Sequence, residues 1–361
     1  MIIAISILFF LSLFGYLFMQ QKVFGKKPSG ARLEKIKRSV NYKDGAFHNV
    51  QFTEVMRKDA SYVEMMRDFF NKPKSVNPAE KIPTIQTNLK TILAEKPTIV
   101  WFGHSSYLLR SKELTILVDP VFSGNASPVS FFGKAFKGAD AYSVADFPKI
   151  DLVILTHDHY DHLDYKTIVA LKSAVGLFVT SLGVGAHLEY WGINSDKIVE
   201  LDWWEKFEFK NDVVFTATPA RHFSGRGFKR ATSLWSSFVL KLHGYSIFLG
   251  GDSGYDDQFK VIGEKFGPFD IALLEAGQYG KDWPNIHMLP EETVQAAIEL
   301  KAKVLLPVHW SKFALAMHDW NEPINRVLKA AAENGLTIQT PKIGEPIEIT
   351  TINETNHWWN F

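Results

Sequence analysis

Apolar and polar positions fall into three textures along the chain. The first is an uninterrupted run, Ile2 to Met19, IIAISILFFLSLFGYLFM, with no charged side chain. At about 1.5 Å per residue, a helix of that length approaches the ~30 Å hydrocarbon core of a bilayer. Lys22, Lys26, Lys27, Arg32, Lys35, Lys37 and Arg38 follow it, opposed only by Glu34, and such a basic flank stays on the cytoplasmic side. No basic segment precedes the run and no small-residue cleavage site follows it, which disfavours a cleaved signal peptide. The pattern predicts a transmembrane anchor over 1–21, single-pass and membrane-anchored, with the catalytic body in the cytoplasm.

The second texture, 22–96, reads as a juxtamembrane extension. Val55, Met56, Tyr62, Val63, Met66, Phe69 and Phe70 form a helical apolar stripe, expected to dock on the main body in preference to a lipid interface. A proline-rich link, NKPKSVNPAEKIPT, follows. The third texture, 97–347, consists of short apolar runs punctuated by glycine and polar turns: TIVWFG, LTILVDP, DLVILT, LFVT, VVFTATPA, YSIFLGGD, IALLEAG and KVLLPVHW. These read as strands. Helical patterns lie between some of them, notably PEETVQAAIEL from Pro290 to Leu300, with proline and acidic residues in its first turn. Strands mixed with helices predict an α/β architecture of packed sheets with helices outside. No internal repeat is visible. The tail, 348–361, ends in the aromatic HWWNF.

Composition removes several functions. With 40 basic and 39 acidic side chains the net charge is +1, which leaves no broad electrostatic footprint for nucleic acid. The absence of cysteine excludes disulfides, thiolate metal sites and a cysteine nucleophile.

Where DLVILT stops, LTHDHYDHLDY packs three histidines and three aspartates into His157 to Asp164. His157 and His159 are two apart, so in extended backbone they point the same way and can grip one cation. Asp161 and His162 follow the bend and can serve a second. His222, Asp252 and His309 close later strands. Together they complete a dinuclear set: His157, His159 and His222 on one ion, Asp161, His162 and His309 on the other, Asp252 bridging. The mixture of imidazole and carboxylate suits two divalent ions, zinc first, iron or manganese as alternatives. Two such ions activate water and neutralise charge on the oxygen that it creates.

His-x-His-x-Asp-His with later single His, Asp and His ligands resembles the metallo-β-lactamase superfamily, whose fold is an αββα sandwich with metals at one edge. WFGHSSYLL, LVDPVFSGNASPVSFFG, TPARHFSGR, GDSGY, FGPFDIALLEAGQY and VHWSKFAL extend the likeness to the branch of N-acyl phosphatidylethanolamine-hydrolysing phospholipases D, over about 97–345. The resemblance implies hydrolysis of a membrane phospholipid to phosphatidic acid and an N-acylethanolamine, with Asp161 and Asp252 at the reacting centre. It places His287 near the site, in contact with phosphate or protonating the leaving group; a capping contact to the next helix is the alternative. Glu275 and Gln278 depart from the apolar or small residues of the lipid-cleaving animal enzymes, which opens the substrate question. His104 and Asp119 are candidates to orient ligands, and Asp164 to brace the histidine loop, while Asp158 is expected to face away. Trp203 and Trp204 are expected to pack as buried aromatics. His187, His243 and His318 match no ligand position. The rivals are a lactonase or small phosphosugar hydrolase, and a membrane-anchored binding protein that has lost catalysis. Expected partners are phospholipid and membrane, without nucleic acid; a homodimer is compatible.

Overall fold

The computed structural model describes residues 2–210, 212–352 and 356–361, with side chains from residue 6 onward. Helix α1 (Ile2–Met19) is followed by α2 (Gly30–Lys37) and a small hairpin, β1 (Tyr42–Lys43) with β2 (Ala46–Phe47). Helix α3 (Tyr62–Phe70) starts where the Ser61 hydroxyl accepts from the Glu64 amide at 3.3 Å, a standard N-cap.

The body then builds two sheets. The first uses β3 (Ala94–Trp101), β4 (Tyr107–Lys112), β5 (Leu114–Val118), β6 (Ile150–Leu155), β7 (Val175–Ser181) and β8 (Ile198–Leu201). The second uses β9 (Lys206–Lys210), β10 (Val213–Thr218), β11 (Ser237–Leu242), β12 (Tyr245–Leu249), β13 (Ile271–Glu275), β14 (Val304–Val308) and β15 (Thr337–Ile338). The last strand, β16 (Pro346–Glu348), returns to the outer edge of the first. In each sheet three antiparallel pairings give way to three parallel ones. The chain therefore repeats a topology without repeating a sequence, which is why no repeat is legible in the residues.

The strands are apolar on both faces because both are covered. In β6, Leu152 and Ile154 join the core between the sheets, whereas Val153 and Leu155 face helices α4 (Tyr165–Leu171) and α5 (Gly185–Tyr190). In β13, Ile271 and Leu273 point inward; Ala272 and Leu274 pack beneath α6 (Gln258–Phe266), α7 (Pro290–Glu299) and α8 (Glu322–Asn334). Alternation of period two thus yields four layers, helix, sheet, sheet and helix, as the resemblance implied.

The expected anchor requires correction. Helix α1 forms, but its 18 residues span only about 27 Å, short of the ~30 Å hydrocarbon core. Among the described residues no helix is long and apolar enough to cross a membrane. The single-pass anchor over 1–21, and the cytoplasmic placement deduced from it, are therefore overturned. The basic stretch after α1 is instead engaged by the body: the Trp191 indole donates to Lys22 O at 2.8 Å, and Arg32 pairs with Glu189 and Glu200. Ile36 of α2 is buried with Phe47, Trp203 and Trp235.

The α3 stripe also departs from expectation. Phe69 stacks on Phe132, yet Tyr62, Val63, Met66 and Phe70 remain between 62% and 79% exposed, so the helix lies over the body without burying its apolar face. The aromatic tail does the reverse. Trp358 and Trp359 enter the inter-sheet core beside Trp101 and Trp310, and the Trp359 indole donates to Asn325 on α8 at 2.9 Å. Trp359→Ala should cost about 3–5 kcal/mol, the usual loss for an emptied aromatic site. Urea unfolding would show it, and an unchanged midpoint would mean that the tail does not hold the sandwich.

Candidate metal centre

Every candidate ligand leaves a strand end on the same rim of the sandwich: His157 to His162 after β6, His222 after β10, Asp252 after β12 and His309 after β14. The two sheets are stitched together there. His104, in the β3–β4 turn, donates its amide to Trp310 O at 2.8 Å, and the His309 amide donates to His104 O at 2.9 Å. His104, Asp119 and His309 all hold positive φ, 52°, 40° and 67°. Such conformations are costly for side-chain-bearing residues, and sharply turned strand ends are where functional sites use them.

Donor atoms gather into two neighbouring clusters of four, and a third group, Asp252, His287 and His309, overlaps both. His157, His159, His222 and Asp252 bring one ligand atom each within 4.8 Å of one another, as do His104, Asp161, His162 and His309. Asp252 lies between them. Its Oδ1 is 3.1 Å from His162 and 3.2 Å from His309, and its Oδ2 is 3.8 Å from His157 and 3.7 Å from His222. All seven predicted ligand positions therefore converge.

The surrounding hydrogen bonds aim the lone pairs inward. The His222 Nδ1–H donates to Ile286 O at 2.8 Å, which leaves the Nε2 lone pair turned toward His159 Nδ1, 3.2 Å away. The Thr156 hydroxyl donates to Asp119 at 2.6 Å, so the His157 Nδ1–H donates to that hydroxyl oxygen at 3.0 Å and its Nε2 lone pair likewise faces His159 Nδ1, at 2.9 Å. Asp119 also accepts from His162 Nδ1 at 2.8 Å. One carboxylate thus sets two imidazoles, the arrangement by which metal ligands are oriented.

These groups fit a cation by chemistry as well as by position. His162 Nε2 and Asp252 Oδ1 are buried polar atoms without a hydrogen-bond partner among the described residues. Burial, the largest influence, holds His157, His159, His222 and His309 below the usual histidine value, neutral and ligand-competent. Burial would also neutralise Asp161 and Asp252, but His162 foremost keeps both well below the carboxylate range. Among the ligand candidates His162 is the histidine driven up: against burial, Asp252, Asp161 and Asp119 favour its charged form.

The remaining candidates sort clearly. His104 Nε2 lies 2.8 Å from Asp161 and braces it. Asp164 caps α4 through the Lys166 amide and accepts from Ser123 N, which anchors the histidine loop. Asp158 faces away, as expected, and accepts from Gly225 N at 2.6 Å, the Ser233 hydroxyl at 2.9 Å and His187 at 3.2 Å. His187 is therefore structural, as are His243, against Ser111, and His318, against the Gln278 amide. Trp203 is buried, whereas Trp204 is 37% exposed. His287 does not cap α7; its Nδ1–H donates to Glu275 at 2.5 Å. Glu275, fully buried, also accepts from the Ser253 and Met288 amides, so its oxygens are taken up by the protein's own donors. Gln278 is occupied with Phe313 O and Leu315 N.

Two arginines escaped sequence reading. Buried Arg226 donates to Asp158 O, Leu163 O and Val23 O, tying the histidine loop to the N-terminal segment. Arg230 lines the cavity beside the clusters. Nothing local in HFSGRGFKR distinguishes either from a surface cation.

A four-layer sandwich with imidazoles and carboxylates crowded on one rim defines a metal-dependent hydrolase. The chain belongs to the metallo-β-lactamase superfamily: residues 115–310 match the beta-lactamase superfamily domain. An uncharacterized protein of Mycobacterium bovis is 38% identical over 329 residues, 89% of this chain and 87% of that one. The N-acyl-phosphatidylethanolamine-hydrolyzing phospholipase D 1 of Caenorhabditis elegans is 32% identical over 233 residues, 61% of this chain and 65% of that one. Among solved structures, Igni18, a metallo hydrolase of Ignicoccus hospitalis, shares the fold with a TM-score of 0.54 at 20% identity, over 70% of this chain and 97% of that one.

Asp158 gives a stability prediction. Burial opposes its charge, but His187 and Arg226 hold its carboxyl below the usual range. Its contribution is therefore complete above the unfolded value near 3.9 and is lost as pH falls through the folded one. Asp158→Ala should lose about 3–5 kcal/mol at pH 7, and the gap to wild type in urea unfolding should narrow on acidification. A gap independent of pH would contradict the assignment.

Proposed function

We propose that the protein is a dinuclear metal-dependent phosphodiesterase that hydrolyses membrane glycerophospholipids in the manner of a phospholipase D. The favoured substrate is N-acyl phosphatidylethanolamine, giving phosphatidic acid and an N-acylethanolamine. The observation that carries this reading is a groove. An apolar cavity of about 880 Å³ runs beneath α3, lined by Met66, Phe69, Phe70 and Phe132 among others. It shares Met65, Trp283 and Leu315 with the cavity of about 280 Å³ that contains His159, His222, Asp252 and His309. A chamber that carries imidazoles and carboxylates and opens into an apolar trough suits a molecule with a charged head and a hydrocarbon body. The partial likeness to the nematode phospholipase D supports the same substrate class.

In this reading His157, His159 and His222 hold one divalent ion, Asp161, His162 and His309 the other, and Asp252 serves both, zinc being the preferred metal. Ions there would acidify water and neutralise charge on the phosphate oxygens. The chain supplies the rest. His287 faces the same chamber, its ring 5.1 Å from that of His222 and 5.2 Å from that of His309. Burial works against a charged His287 ring, but Glu275 outweighs it and holds the pKa above the usual histidine value. Its Nε2 side can then give a proton to the departing alkoxide. Trp283 and Met65 exclude water along the chain-binding side.

Metal-replete protein in mixed micelles should release phosphatidic acid, read by mass spectrometry, and elemental analysis should find two ions per chain. Asp252→Asn should bind fewer and turn over about 1000-fold more slowly. Failure to release phosphatidic acid from any phospholipid would overturn the reading. Met65→Glu, which puts a charge where an acyl chain would run, should lower the preference for long-chain over short-chain diesters by about tenfold or more. An unaltered chain-length profile would remove the groove from substrate binding.

A further inference from the structure

We infer that Arg230 is the receptor for the substrate's negative charge, a residue that selects phosphate-bearing amphiphiles over uncharged ones. The inference deepens the phosphodiester reading above and rests on it for the identity of the anion. Several independent observations converge. Arg230 is the one lysine or arginine among the residues lining the cavity that holds His159, Asp161, His222, Asp252 and His309. Among the described residues it forms no ion pair, whereas Arg32 is committed to Glu189 and Glu200 and Arg326 to Glu291 and Glu322. Its guanidinium lies 4.9 Å from the centre of the Phe223 ring. That ring in turn sits 4.5 Å from His159 and 5.0 Å from His222. A planar cation laid on an aromatic face keeps its N–H donors free for a bidentate oxyanion.

The backbone holds this placement. Gly225, at φ 145°, lets the loop fold back so tightly that a Cβ there would stand 3.2 Å from the Arg230 Cα and 3.3 Å from its Cγ. The Ala231 amide closes the loop onto Ser224 O at 2.9 Å, and the Gly225 amide is held by Asp158 of the histidine loop. One buried carboxylate therefore sets both the histidine loop and the loop that carries Arg230. Asp161 and Asp252 are the cavity's carboxylates, and both belong to the ligand set, so neither is left to neutralise the arginine.

Tryptophan fluorescence, with Trp283 in the cavity wall, reports occupancy when metal-loaded protein is titrated with dodecyl phosphate and with uncharged dodecyl maltoside. Arg230→Met should weaken dodecyl phosphate by about 10- to 100-fold, the range of a lost charge-assisted contact, and at least about tenfold more than it weakens the maltoside. Arg230→Lys should recover part of the loss, since it restores charge without the fork. In turnover of the phospholipid the loss should fall mainly on KM, because the charge is present before and during reaction. Equal weakening of both amphiphiles, or unchanged affinity for dodecyl phosphate, overturns the inference. The two readings fail separately. Arg230-dependent binding without any phosphatidic acid would remove the phospholipase and keep the receptor; phosphatidic acid release with an unchanged KM in Arg230→Met would do the opposite.

Discussion

The structure turns on one buried carboxylate. Asp252 sits 3% exposed between two groups of imidazoles, each of its oxygens turned toward a different group. An ionised carboxylate in such surroundings is tolerated only with compensating charge or donors. Burial favours the neutral form of most neighbouring histidines, while the acids around His162 favour its charged form, so the surroundings call for the positive charge that divalent ions would supply. Asp252 stands at the end of β12, in the middle of the second sheet, on the rim where the ligand candidates of both sheets meet.

Keeping so many ionisable groups in place requires a rigid surround, and the chain builds it from buried acids that never touch the reaction chamber. Asp119 orients His162 directly and His157 through Thr156. Asp158 holds the histidine loop against the loop after β10. Glu275 fixes His287 and, through the Ser253 amide, the residue next to Asp252. Each satisfies several donors at once, which is how a polar group survives burial. The N-terminal segment joins the same framework through Arg226 and Val23, so its contribution to the site is mechanical.

Outside this framework the molecule keeps apolar surface open. Helix α3 leaves most of its stripe uncovered above the groove, an arrangement unfavourable in water unless the surface has a use. The groove ends at Met65, Trp283 and Leu315, where the chamber that carries imidazoles and carboxylates begins. Under the proposed function, hydrocarbon and phosphate would bind in separate but continuous parts of this surface, with Arg230 on the side of the phosphate.

The residues alone determined the strands, the layering and the positions of all seven ligand candidates. Strand period and turn chemistry are local, and a polar residue that closes an apolar run must appear at a sheet edge. The same local logic failed for α1, whose hydrophobicity is plain but whose length falls short. It failed for α3, whose amphipathic stripe cannot say whether a partner surface is present. It failed again for Glu275, whose departure from the lipid-cleaving enzymes opened the substrate question and which the fold turned toward His287. Only the tertiary structure decided these, together with Arg230 and the burial of Trp358 and Trp359. Each depends on contacts between segments far apart in the chain, and those contacts exist only once both sheets have closed on a common core.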